Sequence, residues 1–258
     1  MIPTLKALRS FAFEADSVSV EQHERWKAHF KNKKLVQTIG LIKGLRRVKD
    51  SEELSSIRRA CSISKSVLAM IPTYLVSGIT ERELAAMIES LCRKRGAHAM
   101  AFDTIVAFGE NTSHPHHHPT DRKFRKGDLV QVDMGAKYEG YCSDFSRVYL
   151  TGPQSPEVTK AIRALKKAKK TAESKIKKGA SIHMLDTVAR SVLAEFGYTE
   201  EFCHALGHGL GIEIHEGVTI STKRPDALLR KHEVITIEPG LYFPGKFGIR
   251  IEDTHIVG

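Results

Sequence analysis

At 258 residues the chain can bury a sizeable core, as one large domain or two ordinary ones. Its 41% apolar and 27% charged content are those of a soluble globular protein, and Glu14, Asp16 and Glu21 interrupt the amino-terminal stretch before a signal sequence or membrane span could form. The expectation is a cytoplasmic protein with no membrane partner. The formal charge of +10 raises nucleic acid as a partner, but much of the surplus lies in one run, Lys166, Lys167, Lys169, Lys170, Lys175, Lys177 and Lys178, which reads better as a solvated helix face.

Residues 1–45 do not carry the signals of a complete domain. A helix is expected from Glu21 to Phe30, with Trp26 and Phe30 one turn apart, and a connector from Leu35 to Leu45. From Asp50 the signals sharpen. Asp50 and Glu53 have capping-box spacing ahead of a helical stripe of Leu54, Ile57, Cys61, Val67, Leu68, Ile71 and Leu75. Thr80 and Glu83 open a second helix with Leu84, Met87, Ile88 and Leu91 on one face and Gly96 as its stop. Short β-type runs follow at Thr104 to Phe108 and Leu129 to Val132. Ser155 and Pro156 then start another helix, striped by Val158, Ile162, Leu165, Ala168, Ala172 and Ile176, and a last helix runs to Phe196 before Gly197. The cysteines, Cys61, Cys92, Cys142 and Cys203, form no Cys-x-x-Cys pair and read as reduced core residues.

The two helix pairs match at an offset of 101 residues: Gly78 with Gly179, Thr80 with Ser181, Leu84 with Leu185, Ile88 with Ala189, Leu91 with Val192 and Gly96 with Gly197. Each pair precedes β segments and an acid-bearing hairpin, the pattern of an internal duplication. Two halves related by a pseudo-twofold would then share one central site.

Both hairpins carry two acids. If the first closes about Tyr138 and Glu139, Asp133 lies opposite Asp144 with Cβ atoms roughly 4.5 to 5.5 Å apart. Glu238 and Glu252 are symmetric about Gly245. Facing carboxylates repel, and a bound cation removes the conflict. Between the hairpins lies His204-Ala-Leu-Gly-His-Gly-Leu-Gly-Ile-Glu-Ile-His-Glu, whose Gly207, Gly209 and Gly211 would let backbone approach an ion or substrate beside His208. Ahead of the first hairpin, His114, His116, His117 and His118 cluster around Pro115 and Pro119, a pattern open to a surface metal scavenger or a solvated loop, with the prolines favouring a defined loop.

Together these motifs carry a resemblance. Gly-x-Asn-Thr-x-x-Pro-His, Asp133-x-Gly with Ser143-Asp144, His204 with Gly207-His208-Gly209 and His215-Glu216, Thr236-Ile-Glu238-Pro-Gly, and Arg250-Ile-Glu252-Asp253 resemble, in order and spacing, the pita-bread metallopeptidases, and most of all their aminopeptidase P and prolidase branch. The resemblance implies an α+β pita-bread fold over residues 46–258, with residues 1–45 as the last strand and linker of an amino-terminal domain. It implies Asp133, Asp144, His208, Glu238 and Glu252 as ligands of two divalent metal ions, with Asp144 and Glu252 bridging. It also implies His116 and His215 as holders of the substrate carbonyl, and His204 as a pocket residue on the leaving-group side. Arg250 fits the aminopeptidase P and prolidase pattern and is unlike methionine aminopeptidase. Arg224 falls where prolidase-like members bind a substrate carboxylate.

Four carboxylates and one imidazole favour manganese, with cobalt, iron and zinc also compatible. The activity implied is hydrolysis of an amino-terminal Xaa-Pro bond, with Glu238 passing a proton to the leaving nitrogen. The substrate is a peptide with proline at its second position, and a homodimer is compatible with the resemblance. A dipeptidase is the nearest alternative. A non-catalytic binding module and a metal-free hydrolase are disfavoured by the complete ligand set. The pattern departs from the family at Gly217-Val218, where a proline is usual, and at Lys231-His232-Glu233, where Pro-Gly is usual.

Overall fold

Helix starts are set by side-chain caps in a computed structural model that describes residues 8–258. The first seven residues of the expected amino-terminal segment lie outside that range. Residues up to Arg46 and residues from Arg47 form two compact units.

In the first unit, β1 (Ser10–Glu14) and β2 (Lys34–Thr38) pair in parallel through α1 (Val20–His29), and α2 (Leu41–Arg46) follows. The expected connector thus contains a strand and a helix. Phe13 explains this, because its ring packs against His23 and Trp26 at 4.9 and 5.9 Å, and Phe11 meets Phe30 at 4.9 Å. That helix-on-strand contact places residues 34–38 alongside β1.

In the second unit, α3 (Ser51–Leu68) and α5 (Glu81–Lys94) flank the short α4 (Ile71–Tyr74), and both long helices start at complete capping boxes, Asp50 with Glu53 and Thr80 with Glu83. After β3 (Ala99–Met100), the strands β4 (Ile105–Phe108), β5 (Leu129–Met134) and β8 (Phe145–Leu150) form an antiparallel sheet, with β6 (Ala136–Tyr138) and β7 (Tyr141–Cys142) closing the hairpin. Ile63, Val67, Leu84 and Ile88 bury against Val106, Val132, Met134 and Phe145. Full burial of each such side chain is worth about 1.5–3 kcal/mol.

The second half repeats this plan. Helix α6 (Pro156–Glu173) is capped by Ser155, and α7 (Ile182–Glu195) is capped by Ser181. Both α5 and α7 have 14 residues and stand 101 positions apart, as the duplication predicts. The segments before them dock alike: the Gly78 N–H donates to Phe124 O (3.4 Å) and the Gly179 N–H to Leu229 O (2.8 Å). Strands β9 (Gly207–His208), β10 (Thr219–Ile220), β11 (Val234–Ile237), β12 (Gly240–Phe243), β13 (Phe247–Arg250) and β14 (Asp253–Ile256) complete the chain.

Six of the seven lysines in the basic run are exposed, but Lys169 is buried and donates to Asp253 Oδ2 (2.6 Å). One turn beyond Leu165, it falls on the apolar stripe rather than the solvated face. Cys203 also departs from expectation: it is exposed, on an irregular segment before β9.

Registers place the acids. In the first hairpin Asp133 pairs with Ser146, not Asp144, and the ladder is shifted by two residues from expectation. The cause is the turn, which is centred on Glu139 and Gly140 with φ of 46° and 83°. Two consecutive positive φ values define the tight hairpin turn that suits strand twist, and the glycine belongs at its second position. A shift of two keeps each acid on its face. In the second hairpin, Gly240 pairs with Arg250 and Ile237 with Asp253, so one register runs through both ladders. Glu238 and Glu252 occupy the break between them, as their symmetry predicts.

Candidate metal centre

The hairpins are tied together by polar bonds. The Gln131 amide donates to Arg250 O (3.2 Å) and accepts from the Arg250 N–H (2.9 Å). Thr254 Oγ1 donates to Asp144 O (2.8 Å) and accepts from the Asp144 N–H (3.2 Å), and the Glu252 N–H donates to Ser146 O (3.2 Å).

These bonds bring Asp133, Asp144, His208, Glu238 and Glu252 to one cavity of about 480 Å3. Three of the carboxylates are at most 6% exposed: Asp133, Asp144 and Glu252. His208 Nε2 lies 3.4 Å from Asp144 Oδ2 and 3.5 Å from Glu238 Oε1. Its Nδ1 reaches Gly209 O at 3.1 Å, which leaves Nε2 to face the acids. Donor atoms of Asp144, His208 and Glu252 all lie within 4.8 Å of one another.

Asp133 Oδ1, Asp144 Oδ1 and Glu252 Oε1 are buried without a hydrogen-bond partner. An unpaired buried carboxylate oxygen is costly. Burial, reinforced by repulsion from Asp133, pushes Asp144 up to about 6. Burial also pushes Glu238 up to about 7, against the pull of His208 and Arg250. Glu252 is raised by burial and then by its acidic neighbours. His208 moves the other way from an ordinary buried histidine: burial lowers it, but Asp144 and Glu238 lift it to about 9. Convergent orphaned oxygens beside an imidazole form a donor set that fits hard divalent cations.

His116, His204 and His215 line the same cavity. The His215 ring stands edge-on to His208 with centroids 4.2 Å apart. Burial lowers His215 to about 4, and burial with the nearby Arg250 charge lowers His204 to about 3. Both are neutral at neutral pH and able to donate one N–H. His204 bonds Ala205 O through Nδ1 (2.7 Å) and the Tyr242 hydroxyl through Nε2 (3.0 Å).

Arg250 lines the cavity and is bonded mainly to protein groups. Its Nε donates to Ser146 Oγ (3.0 Å), its Nη1 to Pro115 O (2.9 Å) and the Tyr242 hydroxyl (2.7 Å), and its Nη2 to Asp133. Buried among acids, it is committed to holding them. Arg224 does not line the cavity; it is exposed, and its carbonyl bonds the His183 ring.

The glycines of the 204–216 segment also serve a different purpose from the one expected. A Cβ at Gly207 would sit 2.1 Å from Thr236 O, one at Gly209 2.1 Å from Glu216 O, and one at Gly211 2.2 Å from Glu216 Oε1. They let protein backbone approach protein, and so fix His208, while Gly207 also lines the cavity. Glu216 is itself buried in an ion pair with Lys49 (2.8 Å).

Several site residues carry no motif of their own. Gln131, Ser146 and Tyr242 act through partners far away in sequence. Ser146 Oγ donates to Glu252 Oε2 (3.0 Å) while accepting from Arg250. Strand alternation could have placed Gln131 and Asp133 on one face, but not their partners.

Fold and site are those of a metallopeptidase family, with buried carboxylates and a histidine whose donor set fits divalent metal. Residues 55–258 match the model of metallopeptidase family M24, and the chain belongs to that family. It is 39% identical over 242 residues to a Xaa-Pro dipeptidase of Pyrococcus furiosus, covering 93% of this chain and 68% of that protein. It is 40% identical over 216 residues to an uncharacterized peptidase of Staphylococcus aureus, covering 84% of this chain. The chain spans 61% of the length of that relative. The structure of an X-Pro aminopeptidase from Thermotoga maritima matches with a TM-score of 0.93 at 39% identity, over 98% of this chain and 72% of that one. The duplicated halves form the pita-bread fold.

Proposed function

We propose that the protein hydrolyses the amino-terminal Xaa-Pro bond of peptides, with Asp133, Asp144, His208, Glu238 and Glu252 holding two divalent ions. The observation that carries this is the set of three buried carboxylate oxygens without partners, on Asp133, Asp144 and Glu252, in the cavity that His208 also lines. Manganese suits four carboxylates and one imidazole, and cobalt, iron or zinc are the alternatives for a metal-substitution series. When bound, such ions supply Lewis acidity, polarising a carbonyl and making water more acidic.

The protein's own groups supply the rest. Glu238 lines the cavity with an oxygen 3.5 Å from His208 Nε2, where a carboxylate can take up and return a proton. Neutral His215, with His116, donates to the substrate carbonyl oxygen and strengthens that bond as charge develops. Ile105, Ile214 and Phe102 offer the apolar wall a proline ring needs. Among the lining residues Arg250 is the one arginine or lysine, and four of its five N–H donors are engaged by protein groups. A dipeptide carboxylate would find no free cation there, which favours an aminopeptidase over a dipeptidase. Four free cysteines suit action in the cytoplasm. Residues 46–258 carry the chemistry, and residues 1–45 are read as belonging to a preceding domain.

The manganese-loaded protein should bind close to two ions per chain and cleave Xaa-Pro-Yaa faster than Xaa-Pro. Faster turnover of Xaa-Pro would reverse the aminopeptidase assignment. No cleavage of either, with binding of RNA at physiological salt, would replace the enzyme by a binding module.

A further inference from the structure

Glu81, the first residue of α5, is fully buried and accepts five hydrogen bonds. Oε1 takes the Phe108 N–H (2.8 Å) and Asn111 Nδ2 (3.0 Å). Oε2 takes His117 Nε2 (2.8 Å), the Thr120 N–H (2.9 Å) and Thr120 Oγ1 (2.6 Å). The helix itself does not need this carboxylate, because Thr80 and Glu83 already complete its capping box. Every donor comes from residues 108–120, the segment that delivers His116 to the cavity.

After a 3-10 helix at Gly109–Ser113, residues 114–120 have no regular structure, so the place of His116 depends on side-chain anchors. There is one on each flank. Pro115 O accepts from Arg250, which also bonds Asp133, and His117 is bonded to Glu81. The second half pins its own loops with another fully buried acid. Asp186 accepts from the Thr222 N–H (2.9 Å) and from Arg190 Nε (2.9 Å), and Arg190 Nη2 donates to His204 O (2.7 Å).

We propose that the Glu81–His117 pair is a positioning device for His116, with His117, which also lines the cavity, donating through Nε2 to Glu81. This rests on reading His116 as a group that holds the substrate carbonyl. A small displacement of such a group is costly, on the order of tenfold to a hundredfold in rate.

The test uses the full chain loaded with manganese and three variants. His117→Leu removes the donor, His117→Asn keeps polarity but is too short to reach, and His117→Gln places an amide N–H near the position of Nε2. His117→Leu and His117→Asn should keep wild-type metal content and lose about tenfold or more in kcat on an Xaa-Pro-Yaa peptide, with KM changed less than about threefold. His117→Gln should recover most of kcat. Amide hydrogen exchange across residues 114–118 should quicken in the first two and not in the third. Wild-type exchange in His117→Leu, or faster exchange with wild-type kcat, overturns the proposal. Should His117→Leu fail to fold, His117→Asn carries the same comparison. If the wild-type protein cleaves no Xaa-Pro peptide, the functional reading fails, and the exchange pattern alone decides whether the pair anchors the loop.

Discussion

Gln131 and Arg250 exchange two hydrogen bonds, side-chain amide to main chain, and so lock the two acid-bearing hairpins into one site. Gln131→Met keeps the volume but leaves the Arg250 N–H and C=O buried without partners. The expected cost is about 1–3 kcal/mol, read as a lower denaturant midpoint. Metal affinity should fall with it, because Asp133 and Glu252 no longer keep their spacing.

Removing one ligand should have opposite effects in the two metal states. Asp144→Asn should lose at least one ion per chain and nearly all peptidase activity. In the metal-free protein it should raise the melting temperature at pH 7.5, since it deletes a buried charge that repels Asp133. Elemental analysis and thermal melts with and without chelator check both arms. Full activity in the variant would sink the ligand assignment.

The metal-free protein should lose stability as pH rises from about 6.5 to 9. Raised carboxyls are protonated when folded and ionised when unfolded, so folding takes up protons and weakens as pH increases. Glu238, at about 7, acts in this sense up to about pH 7, and the strongly raised Glu252 acts in the same sense. His208, raised to about 9, contributes stability that is complete below its unfolded value and is lost as pH passes 9. His204 and His215, lowered to about 3 and 4, favour folding as pH rises toward 6.5, so they offset the carboxyls only below that point. Bound metal should flatten the decline and release protons on binding. Denaturation series with manganese and with chelator measure it.

Gly207→Ala should cost more than a surface glycine substitution. The added Cβ would meet Thr236 O, which is strand backbone and cannot rotate away. Thr236 Oγ1 also accepts the His208 N–H (3.0 Å), so the displacement carries His208 off the acids. Weaker metal binding at a retained fold, followed by titration and circular dichroism, is the expected outcome.

Much of this protein was legible in one dimension. Caps at Asp50, Thr80 and Ser155, the 101-residue repeat and the symmetry of Glu238 and Glu252 are local or periodic signals, borne out by the helix caps and the hairpin register. The first hairpin was misregistered because two turn centres fit the same alternation. Gly140 settled it through its positive φ. The lysine run misled at Lys169 for a similar reason, since composition does not show which residue of a charged stretch meets the apolar stripe.

The sequence by itself determined which acids and histidines are present, their strand faces and the family they belong to, because short-range geometry and motif spacing encode these directly. Tertiary structure alone decided that Arg250 is bonded to Asp133, that Arg224 stands away from the cavity, and that Glu81 grips the loop carrying His116. Those roles depend on partners up to 135 residues away, as in Arg250 and Pro115. Only the burial of each group, fixed once the halves close, makes leaving it unpaired too costly.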